Sequence, residues 1–221
     1  EELVLGAVPE RGPVEDVLVT EEGLSLEQLP DNVRIGTGSI RRKSQLLNMR
    51  PDLLISDLRG NIDTRLSKLH DQNLDAIIMA KTAIIRLNLE NVNFKEFATD
   101  NMIPAVGQGA VGIQIRKKDK DIAEVLQSIN HLETFHAVSA ERELLFTLDS
   151  GCQFPVGSYA QVSDNKLSIR GFVASEDGKK IIHDQVESDM ENSVLAGRTL
   201  AEKLLKQGAK TLLDNFSSKQ E

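Results

Sequence analysis

Short apolar segments alternate with amphipathic segments along the first half of the chain. The predicted elements are strands at residues 34–37, 53–58 and 75–80, helices at 40–49 and 62–70, and a short helix that contains Arg86. Strands that alternate with helices at this spacing form right-handed βαβ units in a parallel sheet. The middle of the chain is therefore predicted to be an α/β domain.

Two segments rich in glycine and proline flank this region. The first, at 9–14, follows an apolar strand at 3–8, and the second, at 101–107, leads into a strand that runs through Ile115. The second segment would return the chain to the place where the first strand lies. Two such crossings predict that the residues between them form an inserted domain joined by two hinges.

The last third of the chain has a different pattern. Its predicted elements are helices at 119–130, 133–148 and 193–207, and strands at 156–162, 166–174 and 179–187. The second helix is expected to carry one apolar face, made of Phe135, Val138, Leu145 and Phe146. Asp164-Asn165 and Asp177-Gly178 are hairpin signals, so the strands are antiparallel and the segment forms a small α+β domain.

The composition is that of an ordinary globular protein. The chain has 221 residues, of which 40% are hydrophobic and 27% charged, and no run approaches the roughly 20 apolar residues of a membrane span. A single cysteine and the lack of a visible signal peptide favour a reducing cytosol, so we expect a cytoplasmic protein. The net charge of −8, the absence of Trp and the single Tyr argue against nucleic-acid binding.

One basic segment stands out in this acidic chain. Residues 34–68 carry eight basic and three acidic side chains, which gives a local net charge of +5. Two turns in the segment, Gly38-Ser39 and Arg59-Gly60-Asn61, follow predicted strands and precede predicted helices. In α/β sheets the ligand crevice lies at this carboxyl edge of the strands. The basic side chains are Arg34, Arg41, Arg42, Lys43, Arg50, Arg59, Arg65 and Lys68.

This arrangement predicts a site for a ligand with several carboxylates or phosphates. Helix N-termini offer free N–H groups and partial positive charge, and guanidinium groups pair with anionic oxygens two at a time. The expectation is strongest for the four arginines nearest the two turns, which are Arg41, Arg42, Arg59 and Arg65. A merely solvated helix face is the alternative for any one of Lys43, Arg50 and Lys68.

The only cysteine, Cys152, lies in a predicted loop between a long helix and a strand. A lone cysteine is usually a small buried residue without chemistry. The alternatives are a thiolate nucleophile or a covalent attachment point. A Cys/His pair of the papain type fits the spacing, but no other residue supports it, and no His–Cys spacing indicates a metal site.

Four motifs give the chain a strong resemblance to the porphobilinogen deaminase family, also called hydroxymethylbilane synthase. They occur in the family's order, at family-like distances, and the resemblance covers essentially the whole chain, which corresponds to the C-terminal two thirds of the family's length. The motifs are Ile35-Gly-Thr-Gly-Ser-Ile-Arg-Arg42, Leu58-Arg-Gly-Asn-Ile-Asp-Thr-Arg-Leu66, Pro104-Ala-Val-Gly-Gln-Gly-Ala110 and Gly151-Cys-Gln-Phe-Pro-Val-Gly157.

The resemblance implies a transferase of tetrapyrrole (heme) biosynthesis. It condenses four porphobilinogen units head to tail, releases ammonia each time, and frees linear hydroxymethylbilane by hydrolysis. It also implies a dipyrromethane cofactor, made from the enzyme's own substrate and held by a thioether, and Cys152 matches the attachment cysteine. Porphobilinogen is then the small-molecule partner. We expect no nucleic-acid partner, membrane or metal, and a monomeric full-length protein.

The same motifs imply roles for the basic segment. Arg59 and Arg65 lie where cofactor and incoming pyrrole meet, so the resemblance assigns them to catalysis and to the binding of both. Arg86 and Gln108 match substrate-binding positions. The cofactor-binding residues implied with Cys152, Arg59 and Arg65 are Thr37, Ser39, Arg41, Arg42 and Gly60.

The resemblance further implies a chain of three domains, the first two similar to periplasmic binding proteins. Residues 15–103 would form the second domain, a parallel or mixed sheet with helices, and 131–221 a small α+β third domain that attaches the cofactor. Residues 1–14 and 104–130 would be the remnant of a first domain that is mostly missing.

The family's first domain carries a Ser-Leu-Lys-Asp motif whose aspartate is the principal acid–base group, and no residue of this chain matches it. The chain also starts without an initiator Met and enters an apolar strand at once. We therefore expect a fragment that is inactive alone. The alternative is a non-catalytic anion-binding protein that reuses the fold, although such a protein has no need of the cysteine in its Gly-Cys-Gln loop.

Overall fold

The computed structural model describes residues 2–151 and 153–218. In chain order the first elements are β1 (Leu3–Ala7), β2 (Asp16–Val19), β3 (Arg34–Gly36), α1 (Ile40–Met49), β4 (Leu54–Ser56), α2 (Ile62–Asp71), β5 (Ala76–Ala80), α3 (Lys81–Arg86), β6 (Phe94–Glu96) and β7 (Ile113–Arg116). They are followed by α4 (Lys120–Leu126), α5 (Leu132–Thr147), β8 (Val156–Ser163), β9 (Lys166–Ala174), β10 (Ile181–Asp189), α6 (Ser193–Lys206) and α7 (Ala209–Ser217). Short 3₁₀ turns lie at Leu26–Gln28, Gln127–Ile129 and Met190–Asn192.

The largest sheet has the strand order β4-β3-β5-β2-β6. Strand β3 runs parallel to both of its neighbours, whereas β2 is antiparallel to β5 and β6. Apolar residues of β5 are buried on both faces, because helices and loops cover the sheet on either side. The predicted mixed α/β fold is confirmed, and all three βα units lie where the hydrophobic pattern placed them.

Two connecting segments run side by side at the edge of this sheet. The chain leaves β1 for β2 and later returns from β6 to β7, and β1 pairs antiparallel with β7. The amide of Gly12 donates to the carbonyl oxygen of Gly109 at 3.0 Å, and the amide of Phe97 donates to the carbonyl oxygen of Asp16 at the same distance. The two crossings are therefore in direct contact.

The last sheet has three antiparallel strands in the order β10-β9-β8. Ser163 pairs with Lys166, so Asp164 and Asn165 form a two-residue turn, and both have positive φ, as such a turn requires. Helices α5 and α6 cover the sheet through a core that includes Leu144, Ile169 and Leu200. The predicted small α+β arrangement is thus present.

Two details of this part differ from the sequence prediction. The apolar face predicted for α5 is only partly correct. Val138 is buried and Leu145 packs against the core, but Phe146 is 81% exposed. The buried face also includes Glu141 and Leu144, which are fully buried. Helix α7 was not predicted. Gly208, with φ of +99°, ends α6 and lets the chain begin this further helix, which buries Leu213 and Phe216.

Among the residues that the structure describes, every helix is too short or too polar to cross a lipid bilayer.

Candidate anion-binding site

Two arginines at the start of α1 are held by one buried carboxylate. Nη2 of Arg41 lies 2.7 Å from Oδ2 of Asp16, and Nη2 of Arg42 lies 2.8 Å from Oδ1. Arg41 also donates to the carbonyl oxygen of Ile103 at 2.6 Å, and Arg42 to that of Ile78 at 3.3 Å. Both guanidinium groups are therefore fixed in place before any ligand binds.

Asp16 is the anchor of this cluster. Burial acts to raise the pKa of its carboxyl group, but the charges and hydrogen bonds of Arg41 and Arg42 outweigh burial and hold the pKa below its ordinary value of 3.8. Nε2 of Gln108 donates to Oδ1 of Asp16 at 3.0 Å and to the carbonyl oxygen of Val14 at 2.6 Å. The second connecting segment is thereby tied to β2 beneath the two arginines.

The turn before α2 supplies two more guanidinium groups. Gly60 has φ of +125°, a backbone conformation that favours glycine, and Asn61 caps the helix by accepting from the amide of Thr64 at 2.9 Å. Nε of Arg65 donates to the carbonyl oxygen of Gly60 at 2.8 Å. The side chain of Arg59 is 83% exposed and pairs with Asp57 at 3.0 Å. Arg59 and Arg65 are thus anchored through Nε.

The pKa of Arg65 reflects its partial burial and the positive charge beside it. Partial burial lowers the pKa of its guanidinium group, and the positive charge of Arg42 lowers that pKa further. A lowered pKa means that the charged form of Arg65 is disfavoured here, although an arginine remains protonated at neutral pH. An anionic ligand would relieve this repulsion.

These groups line a cavity of about 510 Å³, which we call the arginine cavity. It unites six of the residues expected from the sequence. Its walls also include the apolar side chains of Leu58 and Ala105. The six expected residues are Ser39, Arg41, Arg42, Arg59, Arg65 and Gln108.

A second cavity of about 680 Å³ adjoins the first and shares Gly38, Ser39 and Arg59 with it. We call it the junction cavity, because one wall comes from the large sheet and the other from the last part of the chain. Ser39 occupies the N-cap position of α1, but its side chain makes no capping hydrogen bond. The wall from the large sheet includes Thr37 and Lys43, and the opposite wall is made of Gln153, Glu176 and Phe216.

Other expected site residues lie elsewhere. Arg86 is exposed at the end of α3 and is not among the described residues that line either cavity. Gly60 is exposed in its turn and contributes its backbone rather than a wall of the cavity. Cys152 lies outside the described residues, and of its two neighbours Gln153 lines the junction cavity.

The helical basic residues differ from one another. Arg50 donates to the carbonyl oxygens of Leu26 and Leu29 and pairs with Asp52, so its role is structural. Lys43 pairs with Glu176 at 2.7 Å, and Nζ of Lys68 donates to the carbonyl oxygen of Arg59 at 3.0 Å. None of these three is a merely solvated side chain.

Two acidic residues that organise the site were not predicted from the sequence. Asp16 opens an otherwise apolar strand, and Glu141 occupies the middle of the buried face of α5. A carboxylate inside a predicted apolar strand or helix face is the signal that could have identified both, since such groups are buried only when paired.

Comparison with known proteins gives one consistent result. The family profile described as "Porphobilinogen deaminase, dipyromethane cofactor binding domain" matches residues 1–124, and "Porphobilinogen deaminase, C-terminal domain" matches residues 135–206. A porphobilinogen deaminase of Alkaliphilus metalliredigens is 41% identical over 99% of this chain and 69% of its own length. One of Moorella thermoacetica is 44% identical over 99% of this chain and 70% of its own length.

Among solved structures, a periplasmic binding protein of Salmonella typhimurium is 13% identical over 57% of each chain, with a TM-score of 0.38.

Proposed function

Because the chain belongs to the porphobilinogen deaminase family of tetrapyrrole biosynthesis, we propose that the arginine cavity binds the acetate and propionate groups of a pyrrole chain. The observation that carries the proposal is the convergence of four guanidinium groups on one cavity at the N-terminal ends of two helices. Among the described residues, two carboxylates, those of Asp16 and Asp57, are paired with them, so the cavity keeps an excess of positive charge. Such a site favours a ligand with several carboxylates.

Dipyrromethane is the cofactor of this family, and when bound it supplies the pyrrole end from which the chain grows. The side chains that line the two cavities match the chemical groups of this cofactor. Guanidinium groups match its carboxylates, the free hydroxyl of Ser39 can donate to one of them, and Leu58 and Phe216 offer apolar contact for pyrrole rings. The adjoining cavities also leave room for a ligand of more than one ring.

We propose a division of labour among the four arginines. The guanidinium groups of Arg41 and Arg42 are mostly engaged with Asp16 and with backbone carbonyls, so they act mainly through their charge. Arg59 and Arg65 are anchored only through Nε in the described contacts, which leaves their terminal nitrogens to bind and orient the carboxylates of cofactor and incoming pyrrole. Gln108 holds Asp16 in place beneath this site.

The overall reaction follows from the family. We propose that the full-length enzyme condenses four porphobilinogen units into hydroxymethylbilane with release of ammonia. In this scheme residues 15–103 form the domain that binds the anionic groups, 131–221 the domain that attaches the cofactor, and 1–14 with 104–130 part of a further domain. The separate sheets in these three segments support the division. We propose that the full-length protein acts as a cytoplasmic monomer, and the single cysteine supports a reducing compartment.

We further propose that Cys152 attaches the cofactor through a thioether. The intact mass of the purified chain and of a Cys152→Ser variant tests this. We expect an added mass of two condensed pyrrole units that is lost in the variant. If the chain carries no added mass, the measurement is repeated on a form extended by the family's first domain. An unmodified extended form would contradict the attachment and favour the anion-binding protein.

The 221 residues on their own are proposed to lack deaminase activity, because none of them matches the acid–base aspartate of the family. Consumption of porphobilinogen and release of ammonia by the isolated chain measure this directly. We expect no turnover above that of a heat-denatured sample. Turnover by the isolated chain would show that another residue performs the proton transfer.

A further inference from the structure

The turn between β9 and β10 docks directly on α1. The carbonyl oxygen of Gly178 accepts from Nδ2 of Asn48 at 2.9 Å, and Nζ of Lys43 donates to Oε1 of Glu176 at 2.7 Å. Gly178 has φ of +69°, and a Cβ built on it would lie 2.3 Å from the carbonyl oxygen of Ser44. Only glycine allows the turn to approach the helix backbone this closely.

The turn is also braced internally. Oγ of Ser175 lies 2.7 Å from Oδ1 of Asp177, and the amide of Lys179 donates to the same oxygen at 3.2 Å. These hydrogen bonds hold the pKa of Asp177 below its ordinary value of 3.8. The amide of Ser175 donates to the carbonyl oxygen of Lys180 at 2.8 Å, which closes the turn. A turn held in this way transmits a displacement instead of absorbing it.

The same end of β9 holds the loop that follows α5. The carbonyl oxygen of Pro155 accepts from the amide of Ala174, the last residue of β9, at 3.0 Å. Within the loop, the amide of Phe154 donates to the carbonyl oxygen of Gly151 at 3.1 Å. The loop and the turn are therefore attached to the same end of β9. The loop is bonded to Ala174, and the turn begins at the next residue, Ser175.

Both segments face α1 across the junction cavity. Gln153 from the loop and Glu176 from the turn line one wall, and Ser39 and Lys43 line the other. Asp16 of β2 also fixes α1, because it binds Arg41 and Arg42. The helix that carries the arginines is thus attached both to the large sheet and to the turn.

We propose that Gly178 and Glu176 are positioning residues that hold the described residues of this loop, Gly151 and 153–155, against the N-terminal end of α1. The turn sets the distance between the last sheet and α1. Because the amide of Ala174 donates to the carbonyl oxygen of Pro155, a change in that distance also displaces the loop. The consequence for catalysis rests on the proposed function, since that function places the cofactor on this loop. The mechanical coupling itself does not depend on it.

Hydrogen exchange of the 221-residue chain, resolved by NMR or by short peptides, tests the coupling. In Gly178→Ala the new Cβ must lift the turn from α1, so we expect the amides of Phe154 and Ala174 to exchange about tenfold faster than in the parent chain. Amides of the large sheet, such as those of β5, should keep their protection, because the sheet does not depend on the turn.

Gly23→Ala is the matched control. Gly23 also has positive φ, at +71°, but the nearest atom to a Cβ built on it is the Cβ of Asn93 at 3.5 Å, an ordinary contact. This variant suffers the same kind of backbone strain at a position that lines neither cavity. We expect faster exchange only near residues 20–25, with Phe154 and Ala174 unchanged.

Charge reversal gives a second, independent readout. Lys43→Glu places two carboxylates face to face and should also accelerate exchange at Phe154, whereas the double variant Lys43→Glu with Glu176→Lys restores the opposite charges and should recover part of the protection. Lys166→Glu, which breaks the exposed pair with Asp189 at the far end of the sheet, should leave the loop unchanged.

The proposal is overturned if Gly178→Ala loosens the turn and α1 but leaves Phe154 and Ala174 protected. It is also overturned if all amides accelerate alike, since that is global destabilisation without specific coupling. The chain is measured without substrate, so these outcomes are separate from the mass measurement on Cys152. A failed cofactor assignment would leave the coupling intact, and a failed coupling would leave the cofactor assignment intact.

Discussion

Asp16 is a fully buried carboxylate that two guanidinium groups share, and it shows how a single residue prepares a binding site. It orients Arg41 and Arg42 before a ligand arrives, so the ligand does not have to order them. It also neutralises only part of their charge. The remaining positive charge adds to that of Arg59 and Arg65, which line the same cavity.

Asp16→Asn should destabilise the chain strongly. The variant leaves two buried arginines without a counter-charge, and breaking a buried ion pair from one side costs about 3–5 kcal/mol. Urea denaturation followed by circular dichroism measures the free energy of unfolding. Asp214→Asn, which removes an exposed partner of Lys210 in α7, is the control and should change stability little. Equal effects of the two substitutions would contradict the anchoring role of Asp16.

The same carboxylate makes stability depend on pH. Its pKa is lowered on folding, so its contribution is fully present above the unfolded value near 3.8 and is lost as pH falls through the lower folded pKa. We expect the free energy of unfolding of the parent chain to decrease more steeply than that of Asp16→Asn as pH falls below about 4. Parallel pH profiles of the two proteins would exclude Asp16 as a source of the acid sensitivity.

Arg65→Gln should weaken the binding of porphobilinogen. A hydrogen bond to a charged group is worth about 1.5–3 kcal/mol, which corresponds to roughly ten- to a hundredfold in affinity. Isothermal titration calorimetry measures the loss. Lys210→Gln removes a remote positive charge as the control, and Arg86→Gln tests whether that exposed residue binds substrate. If Arg65→Gln and Lys210→Gln behave alike, the arginine cavity is not the binding site.

At the scale of elements, the two connecting segments meet through a pair of glycines. Gly109 has φ of +79°, and a Cβ built on it would lie 2.6 Å from the carbonyl oxygens of both Gly12 and Pro13. Gly107, two residues earlier, has φ of +70° but nothing within 4 Å of such a Cβ. An alanine at position 107 would therefore meet backbone strain alone, whereas an alanine at position 109 would also collide with the other connecting segment.

Gly109→Ala should therefore be more damaging than Gly107→Ala. Positive φ alone destabilises an alanine by about 1 kcal/mol or more, and the forced separation of the connecting segments adds about 1–3 kcal/mol. Thermal unfolding of both variants gives the comparison. A melting temperature of Gly107→Ala as low as that of Gly109→Ala would mean that the contact between the segments contributes nothing.

The elements that the sequence predicts well are those with local signals. Helices α1 and α2 begin after Ser39 and Asn61, as the residues of the two turns indicate, because turn and capping preferences depend on neighbours in the chain. Only the Asn61 side chain makes the capping hydrogen bond. The buried face of α5 was predicted only in part, because only apolar residues were considered. Glu141 lies at the centre of that face, where bonds from distant segments satisfy its charge.

The candidate site divides in the same way. The two glycine-containing turns predicted Arg59, Arg65 and Ser39 as site residues, and the structure brings all three to one cavity. Asp16 was not found, because its partners are 25 and 26 residues away and are known only once the sheet has formed. The docking of Gly178 on α1 joins residues about 130 positions apart and has no local signal.

At the scale of the whole molecule, Glu141 ties three regions together. Its carboxylate is fully buried, accepts from both terminal nitrogens of Arg11 at 2.6 and 3.0 Å, and also accepts from the amides of Gly107 and Ala160. Nε of Arg11 donates to the carbonyl oxygen of Gln108 at 2.9 Å. Both connecting segments and the last sheet are thus joined at one carboxylate.

A double-mutant cycle with Arg11→Met and Glu141→Gln should reveal this coupling. Each single change leaves buried polar groups unsatisfied and should cost about 3–5 kcal/mol, whereas the double variant should lose less than the sum. Denaturant unfolding of the four proteins measures the interaction energy. The exposed pair of Lys166 and Asp189 provides a control cycle, in which the two effects should add.

The pairing of β1 with β7 has a consequence for the order in which the chain folds. Leu3 lies opposite Arg116, so closing these strands directly would confine a very long loop, and the entropy lost grows with loop length. Once residues 16–97 have collapsed into their own sheet, however, their two ends are one hydrogen bond apart. The effective loop then shrinks to the two short connecting segments. We therefore expect residues 16–97 to fold first and the strands β1 and β7 to pair last. Strand β1 would then join the structure last although it precedes the other strands in the chain.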